Sequence, residues 1–360
     1  MNKKGINPIH TVSELRQMQS LPLSVKIKKT ELRIKEWYEY WGGDVYVSFS
    51  GGKDSTVLLD IVRRIYPDVP AVYIDTGLEY PEVRSHALST ENIMILHPMR
   101  YDKEKREWIR TNFKEVLFSQ GYPVVSKEVA KVLQEAKRGI EQGEGKYQNS
   151  IQKLNGVFLD KNGNKSKYNC PKWKFMLDAP FKVSNKCCNI MKKNPAHLYE
   201  KETGRHRIVG TMADESALRL QTWLYDGCNA FENKSPTSQP LSFWRESDIL
   251  EYLLVYNIPY AKVYGDIIGS YGELTFTKSQ LLRIRENAPN DWRKIQLSMS
   301  GVSRTGCMFC GFGVHLEKEP NRYQRMRETH PKMWDYCFKS KEQGGLGFSD
   351  VMDYMGVNYK

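Results

Sequence analysis

Val45-Tyr46-Val47-Ser48-Phe49-Ser50-Gly51-Gly52-Lys53-Asp54-Ser55 is the stretch on which the fold of this 360-residue chain turns. Val45, Val47 and Phe49 make a short β-prone run that stops at two glycines. Beyond them Val57, Leu58, Ile61, Val62 and Ile65 recur on one helical face. The spacing predicts a strand, a tight turn and a helix. Gly51 and Gly52 let the backbone approach a ligand, the first N–H groups of a helix have no intrahelical partner, and Lys53 adds a full positive charge. Such a turn suits a phosphate group. It is not a Walker A loop, which places four residues between its first glycine and Gly-Lys. An ordinary strand-to-helix connection would contain the same Gly-Gly.

Outward from this turn, Ala71–Ile74 reads as a second strand, of buried type and ending in Asp75-Thr76-Gly77, and Ile93–Leu96 as a third. A further strand at Ile208-Val209 runs into Gly210-Thr211-Met212-Ala213-Asp214-Glu215-Ser216, and a helix carrying Leu218, Leu220 and Leu224 follows. Gln239 to Trp244 precede another helix near Ile249–Val255. Strands alternating with helices predict an α/β fold with a doubly wound parallel sheet, whose ligands lie at the carboxyl ends of its strands. Ser50 and Asp75 both fall there. Residues 1–42 are expected to form a helical lead-in that packs through Leu32, Ile34, Trp37 and Trp41, and 43–260 the nucleotide-binding domain. An insertion is expected over about 126–170, rich in Lys, Glu, Gln, Gly and Asn, with Asp160–Asn164 as a turn or surface loop. Residues 261–360 are expected to form a cysteine-bearing carboxyl-terminal region with a basic helical stretch near Arg322–Lys341.

Lys and Arg number 54 against 42 Asp and Glu, a net charge of +12 that favours anionic partners such as nucleotides or nucleic acid without choosing between them. No run approaches the roughly 18 apolar residues of a membrane span, and the amino end lacks a signal-peptide core. A cytoplasmic protein with no membrane partner is the expectation. Seven cysteines in a long chain without a secretion signal argue for metal ligation or reactive thiols rather than a disulfide framework. Cys307 and Cys310 have C-x-x-C spacing, which serves zinc, a cluster or redox chemistry. Cys187 and Cys188 are adjacent and can ligate together only where the backbone turns both side chains to one side. Together the two pairs supply the four thiolates a cubic iron–sulfur cluster needs.

Two resemblances build on these motifs. Ser50-Gly51-Gly52-Lys53-Asp54-Ser55 resembles the PP-loop of the N-type ATP pyrophosphatases, in which the loop holds the pyrophosphate released when ATP is cut at its α-phosphorus. Cys187-Cys188-Asn189-Ile190-Met191-Lys192-Lys193-Asn194-Pro195 resembles the C-C-x-x-x-K-x-x-P segment of assimilatory adenylylsulfate reductases, and Cys307-x-x-Cys310 their second cluster-binding pair. With Asp75–Gly77, Gly210–Ser216 and Pro240–Tyr252, the chain is similar to the phosphoadenosine phosphosulfate (PAPS) reductase superfamily over roughly residues 43–312. The resemblance implies a 4Fe-4S cluster on Cys187, Cys188, Cys307 and Cys310, with the Lys192 ammonium near it offsetting its negative charge.

Two departures from the reductase pattern shape the functional expectation. The reductases carry a nucleophilic cysteine in a Glu-Cys-Gly-Leu-His tail, whereas this sequence closes with Met355-Gly356-Val357-Asn358-Tyr359-Lys360, and Cys337 among Trp334, Tyr336 and Phe338 is the nearest substitute. The intact Ser-Gly-Gly-Lys-Asp-Ser loop is one that enzymes acting on a preformed sulfonucleotide usually do not keep. An intact loop with a cluster resembles instead the ATP pyrophosphatases of DNA phosphorothioation and, more distantly, the cluster-bearing thiolases of transfer RNA. The expected cofactors are then ATP, Mg²⁺ and the cluster. Lys53 and the Ser50 and Ser55 hydroxyls would meet the departing phosphates, and Asp54 or Asp75 would serve the metal. Thr76, Gly210, Thr211, Asp214 and Arg219 would line the nucleotide edge, with structural packing as the alternative for the last three. A nucleic-acid acceptor, and a sulfur-donor protein such as a cysteine desulfurase, or thioredoxin, are the expected partners. Reduction of adenylylsulfate or PAPS to sulfite is the alternative function, and a zinc-bearing nucleic-acid-binding module a second.

Overall fold

β1 (Val45–Phe49) runs through the middle of a six-stranded sheet, paired in parallel with β2 (Ala71–Ile74) on one side and with the strand His206–Val209 on the other. Its Val45, Tyr46 and Val47 side chains are buried on both faces, which is why the run is nearly continuous in apolar residues rather than alternating. The full order is β3 (Ile93–Leu96), β2, β1, His206–Val209, Thr237–Ser238, Asn229–Ala230, parallel throughout except for the last pair. Successive strands leave β1 in one direction through β2 and β3. The chain then returns to β1's other edge with His206–Val209, so the order reverses beside the carboxyl end of β1. In such sheets the crevice at that reversal is where ligands bind.

These coordinates are a computed structural model that describes residues 7–143 and 145–360. The chain divides into two compact units. One holds the residues through Asp75, Glu79–Leu96 and Ala196–Thr305; the other holds Thr76–Leu78, His97–Pro195 and Gly306–Lys360. The units are therefore discontinuous, unlike the expected division at 260. Residues 261–305 belong with the sheet because Ile267 and Leu281 are buried in the same core as Ile249, Leu250 and Leu253 of the helix Glu246–Val255.

In the first unit α1 (Val12–Gln19) and α2 (Leu23–Tyr40) precede β1, and α2 buries Ile34 and Trp37 completely. Leu32, expected to pack, is 50% exposed, because it lies on the opposite face of the helix. α3 (Lys53–Ile65) presents Val57, Leu58, Ile61 and Val62 to the core, each fully or almost fully buried. Such burial stabilises by about 1.5–3 kcal/mol per side chain. β3 is an edge strand, with Met94 and Ile95 exposed on its outer side.

The second unit contains the stretch 126–170 read as an insertion. Ser126 Oγ caps the helix Lys127–Gln142 by accepting from Val129 N at 3.1 Å, and the helix buries Ala130, Val132, Leu133 and Ala136. One face of this helix thus packs into that unit's core, while Lys127, Glu128, Lys131 and Arg138 stay exposed. The turn Asp160–Asn164 lies on the surface as expected, with Asp160 Oδ1 accepting from Asn162 N and Asn164 N between the bridged residues Leu159 and Lys165. The basic carboxyl-terminal stretch is two helices, Arg322–Thr329 and Pro331–Phe338, because Pro331 cannot continue the first. Among the described residues no helix is long and apolar enough to cross a membrane.

Candidate functional site

The turn between β1 and α3 is forced by Gly51. Its φ of +71° is one that glycine adopts without strain, and a Cβ there would lie 2.8 Å from the Val83 carbonyl oxygen on α4 (Pro81–Leu88). Gly52 is the N-cap of α3, so the helix starts directly behind it with its positive end at the turn. The turn is internally braced. Ser50 N donates to Ser55 Oγ at 3.2 Å, the Ser50 and Ser55 hydroxyls are 3.1 Å apart, and Ser50 Oγ accepts from Gly52 N at 3.3 Å. Thr56 Oγ1 donates to the Gly52 carbonyl at 3.0 Å and faces His86 Nε2 at 3.1 Å, so that the imidazole of α4 backs the loop.

Lys53 is only 2% exposed, an unusual state for a lysine, and its ammonium is held by partners remote in sequence. Nζ donates to the Ser303 carbonyl at 2.9 Å, and lies 3.3 Å from Glu246 and 3.7 Å from Asp54. It also stands 5.4 Å from the centre of the Tyr264 ring. Burial raises the Asp54 carboxyl above its ordinary value, the Lys53 charge opposes that rise, and the Glu246 charge adds to it. Asp54 Oδ1 is buried without a hydrogen-bond partner. A buried carboxylate oxygen without a hydrogen bond, 3.7 Å from the Lys53 ammonium, is a hard oxygen of the kind a divalent cation takes as a ligand.

The other expected nucleotide-side residues fall into two groups. Gly210 lies at the carboxyl end of His206–Val209, where a Cβ would meet the Asp54 carbonyl oxygen at 3.0 Å, so its lack of a side chain lets α3 begin where it does. Arg219 pairs with Glu215, to which Arg304 also binds at 2.7 Å, and both guanidiniums act electrostatically on Asp54. Thr211 donates to Gln239 Oε1 at 2.8 Å, and Asp214 accepts from Gln19 Nε2 at 2.7 Å; both side chains join structural elements. Asp75 is held in a two-pronged pair with Arg84, at 3.0 and 2.8 Å, which leaves Asp54 the better placed carboxylate for a metal. In the second unit, Thr76 Oγ1 accepts from Leu78 N at 3.2 Å.

All four expected cluster cysteines belong to the second unit and none is in a disulfide. Cys187 and Cys188 open a helical turn that continues as a π-helical segment, Asn189–Lys193, a widened turn of a kind frequent at functional sites. Cys307 to Cys310 form a tight turn in which Cys310 N donates to the Cys307 carbonyl at 3.1 Å. That turn is anchored by the parallel pairing of Gly311–Phe312 with Val124–Val125, and by Arg322 donating to the Cys310 carbonyl at 3.0 Å. The thiols influence one another. Burial, then the neighbouring Cys307, Cys188 and Cys310, push the Cys187 thiol up, and Lys192 opposes this. Burial also raises Cys310, against the Phe312 N–H bonded to its sulfur and the charges of Arg322 and Lys127. Among the described residues, no three His, Cys, Asp or Glu side chains gather tightly enough to hold one metal ion. Four thiols outside any disulfide, with cationic neighbours, nevertheless have the donor chemistry of an anionic thiolate-bound cluster.

The profile of the phosphoadenosine phosphosulfate reductase domain matches this chain over residues 44–120 and 107–310, the span that contains both the loop and the four cysteines. The chain belongs to that family. Its PAPS reductase-family relatives include the adenosine 5'-phosphosulfate reductase of Staphylococcus haemolyticus, 25% identical over 294 residues that cover 81% of this chain and 89% of the relative. Two solved structures overlap it partially. A phosphoadenylyl-sulfate reductase from Candida auris, in a phosphate complex, is 14% identical with a TM-score of 0.34, covering 71% of this chain and 92% of its own. A U34-tRNA thiolase from Methanococcus maripaludis, solved with its 4Fe-4S cluster, is 14% identical with a TM-score of 0.31, covering 75% of each chain. Scores this low establish no shared mechanism.

What the motifs of this PAPS reductase-family chain did not disclose is the shell around Lys53. Glu246, Tyr264, Ser303 and Thr305 come from segments with no phosphate-binding signature, and only the position of Glu246 at the start of a helix was a usable signal.

Proposed function

We propose that this chain is an ATP pyrophosphatase of the PAPS reductase family that activates an acceptor for sulfur transfer. ATP lies with its β- and γ-phosphates on Ser50–Ser55. An oxygen of the acceptor forms a bond to the α-phosphorus as the bond from that phosphorus to the bridging oxygen breaks, and pyrophosphate leaves. The Lys53 ammonium and the positive end of α3 stabilise the charge that builds on the leaving group, and the Ser50 and Ser55 hydroxyls donate to it. Asp54 would hold Mg²⁺, which neutralises phosphate charge when bound. The terminal sulfur of a donor protein's persulfide, as on a cysteine desulfurase, then forms a bond to the adenylated acceptor as AMP leaves, and a thiol reductant such as reduced thioredoxin cleaves the resulting disulfide to release the thiolated acceptor and the donor's thiol. A 4Fe-4S cluster on Cys187, Cys188, Cys307 and Cys310 supplies a sulfur-binding centre when present. The +12 charge is compatible with a nucleic-acid acceptor.

The observation that carries this proposal is the intact, internally braced loop with a buried lysine at the head of α3. Reduction of a sulfonucleotide is the second reading, supported by the relatives that bear the reductase name. It requires an exposed cysteine of lowered pKa to attack sulfur. Outside the four-cysteine group this chain has Cys170, Cys228 and Cys337; burial raises the pKa of each, and Cys337 is 0% exposed. The test is incubation of anaerobically purified protein with labelled ATP, Mg²⁺ and transfer RNA or DNA. Acceptor-dependent pyrophosphate release is expected, and formation of ADP and orthophosphate would refute the assignment.

A further inference from the structure

The phosphate-facing N–H of the loop already has a partner within the first unit. Tyr264, at the end of the short turn Lys262–Tyr264, is 2% exposed, and its hydroxyl accepts from Lys53 N, the first N–H of α3, at 3.2 Å. The same hydroxyl lies 2.7 Å from Thr305 Oγ1. A Cβ built on Gly52 would come within 3.3 Å of Tyr264 Oη and 3.5 Å of Thr305 Oγ1, so the two hydroxyls fill the space over the loop's second glycine. The segment that brings them is strapped together. Gly301 N donates to the Tyr264 carbonyl at 2.8 Å, Val302 N donates to the Val263 carbonyl at 3.1 Å, and Ser303 supplies the carbonyl that holds Lys53 Nζ. Glu246 completes the enclosure of the ammonium.

A phenol oxygen and a phosphate oxygen are both acceptors of similar size, so only one of them can occupy the Lys53 N–H at good geometry. A buried N–H left without any partner is unfavourable, which gives the resting loop a reason to keep the tyrosine. We propose that Tyr264, held by the 301–305 strap, occupies the phosphate position of the resting loop, and that an incoming polyphosphate must displace its hydroxyl. The proposal rests on the loop being a phosphate site. Tyr264 therefore opposes binding, whereas the Lys53 ammonium and the Ser50 and Ser55 hydroxyls favour it. Its ring packs with Val83 and Ala261, so Tyr264→Phe removes the competing oxygen while leaving that packing in place.

The test measures inorganic pyrophosphate binding to the full-length protein by calorimetry with Mg²⁺ present. Tyr264→Phe should bind pyrophosphate about 3–10-fold more tightly than wild type, the factor set by loss of one competing neutral hydrogen bond. Thr305→Val, which removes the hydroxyl partner of Tyr264 and leaves every loop residue unchanged, should tighten binding in the same direction and keeps the test available if Tyr264→Phe folds poorly. Weaker binding by Tyr264→Phe would make the hydroxyl a direct phosphate ligand and overturn the proposal, as would unchanged binding. If neither wild type nor the folded variants bind pyrophosphate, the phosphate site itself fails and the proposal falls with it.

Discussion

The Ser50–Ser55 loop and the four-cysteine region solve opposite assembly problems. The loop is contiguous: its glycines, lysine and hydroxyls are neighbours in the chain, and its geometry follows from one positive φ at Gly51 and one helix start at Lys53. The cysteine region is built from two distant pairs, and depends on the pairing of Gly311–Phe312 with Val124–Val125 and on the widened turn after Cys188 to set its thiols. A contiguous site can lose function through one backbone change. A discontinuous one fails when any single ligand is removed.

The largest effects should come from the loop. Gly51→Val places a side chain against the Val83 carbonyl at a φ that valine avoids, and should destabilise the protein by about 3 kcal/mol and abolish nucleotide binding. Chemical denaturation and nucleotide titration would measure both. Lys53→Ala removes the buried ammonium at the head of α3 and should lower pyrophosphate release about 10²–10³-fold while the fold persists. An activity within tenfold of wild type would mean that the lysine is structural, held for its pairing with Glu246.

For the cysteine region the expected change is in metal content. Anaerobic protein should carry about four irons per chain, and Cys187→Ser or Cys310→Ser should remove them, whereas Cys170→Ser and Cys337→Ser should not. Loss of iron in Cys170→Ser, or stoichiometric zinc in place of iron, would show that the wrong four residues or the wrong metal had been assigned. Retained pyrophosphate binding in Cys187→Ser would separate the two regions chemically.

The smallest effect concerns the backing of the loop. Burial lowers the pKa of His86, so below its unfolded value near 6.5 the unfolded chain takes up a proton more readily than the folded one. Stability present above about pH 6.5 is therefore lost as the pH falls through the folded value. His86→Gln, which keeps a donor for Thr56 Oγ1, should flatten part of this acid slope in urea midpoints taken between pH 7.5 and 5.5. Half-buried His206 and His315, whose pKa values partial burial also lowers, would carry the remainder. An unchanged slope would remove His86 from the loop's support.

The contrast also explains what the sequence disclosed. β1, β2 and α3 were legible because a central strand buried on both faces and a one-faced helix leave periods in adjacent residues. β3 was legible as a strand, but its edge position was not, since pairing on one side only is a property of the sheet. The helix Lys127–Gln142 looked like a surface insertion because its charged residues outnumber the few small apolar ones, Ala130 and Ala136 among them, that it buries. Tyr264 and Ser303 were invisible as site residues because a phenol and a backbone carbonyl acquire their roles only when the strap closes on Lys53. Cysteine identity and spacing pointed to the four thiols, yet no spacing rule discloses the Phe312 N–H and the charges of Lys127 and Arg322 that surround Cys310.

The measurement that bears most directly on the central claim offers anaerobic, iron-loaded protein both classes of substrate in parallel. One reaction contains ATP, Mg²⁺ and a nucleic-acid acceptor and is assayed for pyrophosphate. The other contains adenylylsulfate or PAPS with thioredoxin and excess dithiothreitol and is assayed for sulfite. The account predicts acceptor-dependent pyrophosphate in the first and no sulfite in the second. Sulfite turnover that persists in Cys337→Ser, with no pyrophosphate from ATP, would contradict it and make the chain a sulfonucleotide reductase.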